Sequence, residues 1–523
     1  VDVITDIASL FYRKGLFKME FANELRTAQI FSNNMVLQRN KQVLVWGTGK
    51  DNTTIEISIA NHKVRTMVRN NQWRAEVPCM EAGGPYVMSI SDGEKNISYE
   101  NVMVGEVWYA GGQSNMELEL QNCKDGAKEV ESADWNSIRF YNVAKIPTLE
   151  THNLEEEGRR HWEVVKPTTA ATMSAVAYFF AREVSQTLGI TVGIIDCYWG
   201  GTSISCWMSR EYLSSDEEAN TYILDWNELV GDKTDEEYEK EKAIWDVEWK
   251  AWNEHSEQLR KIKPDISWED INKKAGICPW PEPAGKKSGF RPGGLYETMV
   301  QRVAPYTIKG FLWYQGEEDE KKPKIYDKML TKLISQWRSD WSDDELPFVI
   351  TQLPMWIEKG CADTKSWAIL RENQRKVSQT IKNTALAVLI DCGEYDNIHP
   401  LDKKTVGHRL ALQVLEKFYN INNLYANSPM LKDMDLNEDN IVLYFDYVYG
   451  GFEVKGNDEI ALFEIAGEDE VFYPAKAVVN GESIIISNAK IKNPKYARYA
   501  WTNYGIVNLY NIKGLPVAPF VTV

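Results

Sequence analysis

The chain is predicted to be an α/β protein, a parallel sheet covered by helices and carried between two all-β modules. Three observations predict this. From residue 101 to about 425, apolar runs alternate with helical patterns, and that alternation calls for parallel strands joined by helical crossovers. On either side, short runs rich in aromatic and β-branched residues are broken by turn signals, as small all-β units require. At 523 residues the chain is also too long for a single core, and length alone suggests about three units.

Taken in order, residues 1–21 read as an N-terminal extension, with Met19 as a native start and residues 1–18 added in expression. Residues 22–100 form the first β module. Val43 to Trp46 is followed by Gly47, Thr54 to Ile59 by Ala-Asn-His, and Tyr86 to Ile90 by Ser-Asp-Gly, a spacing that suits a sandwich. Residues 101–425 then carry strands at Val102 to Tyr109, Thr191 to Cys197, Ile308 to Tyr314, Phe348 to Leu353 and Thr384 to Asp391. The helices of this region are expected at Asn115 to Leu120, Ala175 to Leu188 and Thr405 to Phe418.

A charged, tryptophan-rich insertion at about 214–285 interrupts this region. Trp245, Trp249 and Trp252 recur at helical spacing, and an amphipathic helix pair packing them onto the main domain is favoured over a sugar-binding stripe. The proline-rich stretch Cys278 to Pro292 ends it. From residue 426 to 523 strand-and-turn periodicity returns, as at Ser483 to Ser487, giving the second β module.

The formal charge of −17 argues against nucleic acid or an anionic membrane surface as partner. No apolar run approaches transmembrane length. Seven cysteines lie scattered without metal-ligand spacing and read as reduced thiols. Val1 to Lys18 lacks the order of a signal peptide, so a cytoplasmic location is expected, with a periplasmic or secreted one the alternative if a leader has been removed.

Four places combine a strand end with small polar residues. The first is Gly111-Gly112-Gln113-Ser114, where a serine would project from the carboxyl end of a central strand. The second is Trp199-Gly200-Gly201-Thr202, whose glycine pair can offer backbone N–H groups to an anion. The third is Trp313-Tyr314-Gln315-Gly316-Glu317, where a glutamine amide could donate to an oxyanion. The fourth is Asp396-Asn397-Ile398-His399-Pro400.

Elimination among six histidines singles out His399, which alone follows a sheet strand. An aspartate three residues earlier could accept from its Nδ1, leaving Nε2 free as a general base. Alone, the serine fits an ordinary strand-to-helix turn and the Asp-His pair a loop-stabilising turn. Together they fit nucleophilic catalysis.

These motifs, in this order, resemble the sialate O-acetylesterase family, which belongs to the SGNH hydrolase superfamily of carbohydrate esterases. Phe31 to Arg39 is similar to the family's opening, and Arg498-Tyr499-Ala500-Trp501 with Gly514-Leu515-Pro516 to its close. The resemblance implies an SGNH-hydrolase-like, flavodoxin-type three-layer α/β/α domain with flanking β-sandwich-like modules. It implies Ser114 as nucleophile, His399 as base and Asp396 as the residue orienting the histidine. The Ser114 and Gly201 backbone N–H groups and the Gln315 side chain would form the oxyanion hole.

No metal or organic cofactor is implied, and the partner would be an acetylated sugar. Where the family continues Gln-Gly-Glu with Ser-Asn, this chain has Glu318-Asp319, and both carboxylates are expected to face solvent. An unperturbed base would lose activity through about pH 6 to 6.5. The alternatives are an acetyl esterase on hemicellulose-derived oligosaccharides (xylan, xyloglucan or mannan) and a non-catalytic carbohydrate-binding protein. A metalloenzyme is disfavoured, because histidines are few and no His-Glu-x-x-His run is present.

Overall fold

One long strand joins two parts of the molecule. The computed structural model describes residues 24–522 except 264, 265, 267, 457 and 458, so the expected extension over residues 1–21 lies outside the described residues. Strand β1 (Asn96–Gly112) is 17 residues long. Its first half pairs antiparallel with Gly83–Ser91 of the N-terminal β module, and exposed residues alternate with half-buried ones there. From Val104 onward every residue is buried, because this half is covered on both faces.

That second half lies in the middle of a sheet with β2 (Trp135–Asn142), β3 (Glu163–Val165), β4 (Val192–Tyr198), β5 (Gly310–Tyr314), β6 (Phe348–Thr351) and β7 (Thr384–Ala387). The spatial order is β3-β2-β4-β1-β5-β6-β7. All neighbouring pairs are parallel except β3 with β2 at one edge. β2 is absent from the sequence reading, since Trp-Asn-Ser-Ile-Arg-Phe-Tyr-Asn carries no continuous apolar run; pairing with β4 selects it.

Successive side chains of a strand point to opposite faces, and the aromatic contacts of β1 use both. Trp108 meets Phe180 of α2 (Ala175–Leu188) edge-on at 5.5 Å between ring centroids. Tyr109 meets Trp337 of α6 (Tyr326–Asp340) at 5.1 Å on the other side. α2 occupies its expected residues because both ends are capped: the Ser174 side chain accepts from the Ala177 N–H, and Gly189 takes the left-handed conformation at φ +67°.

α8 (Lys403–Tyr419) crosses α2 closely at Gly407, where a Cβ would stand 2.6 Å from that of Phe179. α7 (Ser366–Thr380) lies against α6.

The insertion folds as α3 (Glu217–Val230), α4 (Asp235–Ile262) and α5 (Trp268–Ala275), followed by a return segment. Here the structure corrects the expectation. The tryptophans stack on one another and on the return segment rather than on the main domain: Trp245 lies parallel to Trp249 at 5.3 Å, and Trp252 Nε1 donates to the Gly276 carbonyl at 2.8 Å. Trp252, Ile266 and Ile271 form a small core of their own.

The C-terminal β module joins the α/β region through Asp363, which accepts from the Thr502 hydroxyl and the Asn503 N–H. It also meets the loop after β7, where Tyr395 and Tyr504 lie 5.4 Å apart.

At the end of β1, Gly112 pairs with Tyr198 of β4 on one side and Tyr314 of β5 on the other. Its φ is +144°, and an added Cβ would fall 2.0 Å from the Tyr314 carbonyl oxygen. Only glycine permits that approach. Gly112→Ala should therefore cost about 1–3 kcal/mol through enforced strand displacement, measurable by chemical denaturation. An unchanged midpoint would show that β5 moves aside freely.

Candidate active site

The register at Gly112 makes three loops start at one level, those after β4, β1 and β5. β1 is also the switch point of the sheet, with β4 on one side and β5 on the other, where a crevice opens beyond the carboxyl ends. Ser114 begins the short helix α1 (Ser114–Glu117), so its N–H is one that a helix leaves without an internal partner. The glycine pair after β4 lies beside it: a Cβ on Gly200 would stand 3.1 Å from Ser114 Cβ.

The Gly200 N–H donates to Glu117 Oε2 at 2.6 Å, and Lys145 holds the other Glu117 oxygen. Gly201 turns through φ +71°. Its N–H has no acceptor among the described residues.

His399 follows β7, three places from β1 in the sheet, and must reach back across β5 and β6. Its loop is fixed at several points. Glu394 accepts from the Leu401 N–H at 2.9 Å and from Asn397 Nδ2 at 2.7 Å, and Asn397 Oδ1 accepts from the His399 N–H at 3.1 Å. Asn115, next to the serine, donates to the Ile398 carbonyl at 2.9 Å and to buried Glu317 at 2.6 Å, while its oxygen accepts from Lys403 Nζ at 2.5 Å. Both amide hydrogens and the amide oxygen are thereby engaged. The result is a 2.7 Å contact between His399 Nε2 and Ser114 Oγ.

Burial, reinforced by the positive charges of Lys403 and Arg260, lowers the His399 imidazole to about 3. The ring keeps some contact with solvent, which works against burial; the direction that results is a ring neutral below its ordinary range. With the imidazole neutral, the Ser114 hydroxyl donates to Nε2. Burial also lowers Lys403, to about 8, against the opposing charges of Glu317 and Glu394, and raises Glu317.

Two expected members are not brought to this pair. Asp396 sits at φ +61°, and its Oδ1 accepts from the Lys359 N–H at 2.9 Å. Among the described residues no carboxylate bonds His399 Nδ1, because Asn397 rather than Asp396 makes the turn into the histidine. Asp396 instead borders a cleft of about 340 Å³ with Trp268, Glu269 and Lys359, whose walls include neither Ser114 nor His399.

Gln315 is fully buried, with Nε2 donating to the Thr202 carbonyl at 3.1 Å and to Asp319 Oδ2 at 2.5 Å. Both amide hydrogens are thereby committed beneath the glycine loop. Glu318 is exposed, as expected, but Asp319 is not: it is buried and also accepts from Tyr222 of α3 at 2.6 Å and from the Ile204 N–H at 2.9 Å.

Asn115, Glu394 and Lys403 were not singled out from the sequence. Asn115 was within reach, standing in the serine motif; Lys403, in the first turn of a helix, carries no signal of its own. Among the described residues no cluster of side chains suits a metal ion.

A family model described as carbohydrate esterase, sialic acid-specific acetylesterase matches residues 274–416. The mouse sialate O-acetylesterase is 27% identical over 95% of this chain and 94% of its own length. The human sialate O-acetylesterase is 23% identical over 95% and 92%. The crystal structure of a carbohydrate acetylesterase from Xanthomonas citri superposes with a TM-score of 0.75 at 28% identity, covering 95% of this chain and 99% of that one.

Fold, site and relatives together define a carboxylic ester hydrolase of the carbohydrate esterase class. Over nearly its whole length the chain is similar to the sialate O-acetylesterases.

An imidazole accepts a proton only while unprotonated, so a lowered pKa extends that capacity toward acid. kcat/KM should hold level from neutral pH to well below the 6.5 of an ordinary imidazole. An inflection at about 6.5 would show the ring solvated like a free one. Lys403→Met removes one of the cations that lower His399, so it should move the acid limb upward as well as reduce kcat. A lower rate with an unmoved limb would limit Lys403 to holding Asn115.

Proposed function

We propose that this protein is a serine esterase releasing acetate from O-acetylated carbohydrates. Sialate O-acetyl esters are the first substrate class, and acetylated hemicellulose oligosaccharides (xylan, xyloglucan or mannan) the alternative. The observation that carries this reading is the 2.7 Å Ser114–His399 contact beside backbone donors without acceptors. The full-length likeness to the mouse enzyme favours sialate. A binding protein, the remaining reading, has no use for a hydroxyl aligned on a neutral imidazole.

The fold supports the same reading. Setting β2 and β3 aside as edge additions, the core runs β4-β1-β5-β6-β7. Numbered by chain order this is 2-1-3-4-5, the flavodoxin-type order, with α2 and α6 on opposite faces as in a three-layer SGNH hydrolase.

In the mechanism, Ser114 Oγ attacks the acetyl carbonyl while His399 Nε2 takes its proton. The oxyanion turns toward the Ser114 and Gly201 N–H groups, each of which is worth about 2.7–4 kcal/mol in sites of this kind. Collapse breaks the bond to the sugar oxygen, which receives the proton from His399. Water, deprotonated by the same nitrogen, then attacks the acyl-Ser114 carbonyl, and acetate leaves as Ser114 regains its proton. Gln315 acts one step removed, holding the Thr202 carbonyl and Asp319 under the glycine loop. Asp396 shapes the His399 loop through Lys359.

Acetate release should be measured on 9-O-acetylated sialic acid, acetylated xylo- and manno-oligosaccharides and an aryl acetate. Ser114→Ala should abolish it; retained activity would refute the nucleophile. Asp396→Asn should stay within about 10-fold of wild type. A loss of about 10⁴, as when a triad aspartate is neutralised, would put Asp396 on His399 during turnover.

A further inference from the structure

Of the nineteen tryptophans in the chain, Trp280 alone is exposed, at 38%. Its position makes that exposure informative. The ring presses against Gly201: a Cβ there would lie 2.2 Å from Trp280 Cη2 and 2.4 Å from Cζ2. An open indole surface therefore adjoins the glycine whose N–H is assigned to the oxyanion.

The ring is also held firmly. Phe290 meets it edge-on at 5.3 Å, and Trp249, part of the tryptophan stack, lies 6.1 Å away. Trp245 Nε1 donates to the Pro279 carbonyl, and the Cys278 N–H donates to Asn272 Oδ1 at 3.1 Å, so the segment leading to Trp280 is tied to both α4 and α5. An aromatic surface immobilised before substrate arrives loses little entropy on binding.

We propose that Trp280, delivered by the helical insertion, is the surface on which the sugar of the ester lies, and so determines specificity for carbohydrate over simple esters. The chemistry matches. A pyranose presents a face of C–H groups, apolar and weakly positive, and the face of an indole is electron-rich. The sugar oxygen bonded to the acetyl group must stand within a few ångströms of the oxyanion donors, which places the ring beyond it beside Gly201 and Trp280. The proposal rests on the reading of Ser114 as nucleophile.

The test compares wild type, Trp280→Ala and Trp280→Phe on an acetylated monosaccharide and on ethyl acetate, with kcat and KM resolved. Calorimetric titration of the deacetylated sugar into Ser114→Ala, with and without Trp280→Ala, adds a readout independent of chemistry. Trp280→Ala should lower the ratio of kcat/KM for the sugar ester to that for ethyl acetate by ~10-fold, through KM. It should weaken sugar binding to a similar degree, and phenylalanine should restore most of both.

Equal losses on the two esters, carried by kcat, would make Trp280 only a prop for Gly201 and overturn the proposal, as would no change on either. Acetate release persisting in Ser114→Ala would refute the nucleophile, while the titration would still decide Trp280.

Discussion

The candidate active site depends on a backbone contact that only glycine allows. At Gly112 the central strand comes so close to the Tyr314 carbonyl that no side chain fits between them. Because β4 and β5 are both in register with that residue, their last residues end level with the last residue of β1. Ser114, the glycine pair and the Trp313–Glu317 turn are then neighbours by construction of the sheet. The strands leading to this point are buried and aromatic on both faces, with Trp108 against α2 and Tyr109 against α6, so the level is set by a rigid core rather than by the loops.

The histidine has no such geometric guarantee. It follows a strand three places from β1, and its position is imposed by polar contacts. Asn115 couples the two halves: it follows Ser114 in sequence and holds the carbonyl preceding His399. The buried Glu317 and Lys403 on either side of that amide are costly to leave unpaired, so each resists displacement of the other. Lys403 has a second effect, since its charge opposes protonation of His399. The contacts that position His399 thus also keep its imidazole neutral, the form that can accept a proton.

These two modes of construction explain what was legible in the sequence. The helix Ala175–Leu188 and the strand Ser483–Ser487 have their expected bounds, because caps, glycine and apolar periodicity are local signals. Ser114 and His399 were legible as motifs beside strand ends, and the structure brings them together. The placement of Asp396 was not. Asp-x-x-His in a loop permits a bond to the imidazole, but whether it forms depends on which neighbour makes the turn, and Asn397 makes it here. Gln315 was unreadable for a similar reason. Its hydrogens go to Thr202 and Asp319, and Asp319 is itself buried by Tyr222, a residue of the insertion almost one hundred positions away.

The same Tyr222–Asp319 bond bears on what the insertion is for. A helical excursion between two sheet strands can be tethered anywhere on its domain, yet this one is tied at three places around the site. Tyr222 reaches Asp319 beneath the glycine loop, Glu269 meets Lys359 at 2.7 Å beside Asp396, and Trp280 lies against Gly201. Its tryptophans, stacked on their own return segment, stiffen the excursion without using the main domain's surface. Spacing alone identified the stack as structural; it could not show that the stack braces a last tryptophan left open beside Gly201. An insertion anchored only for stability would bury that ring. This one buries the others and exposes that one.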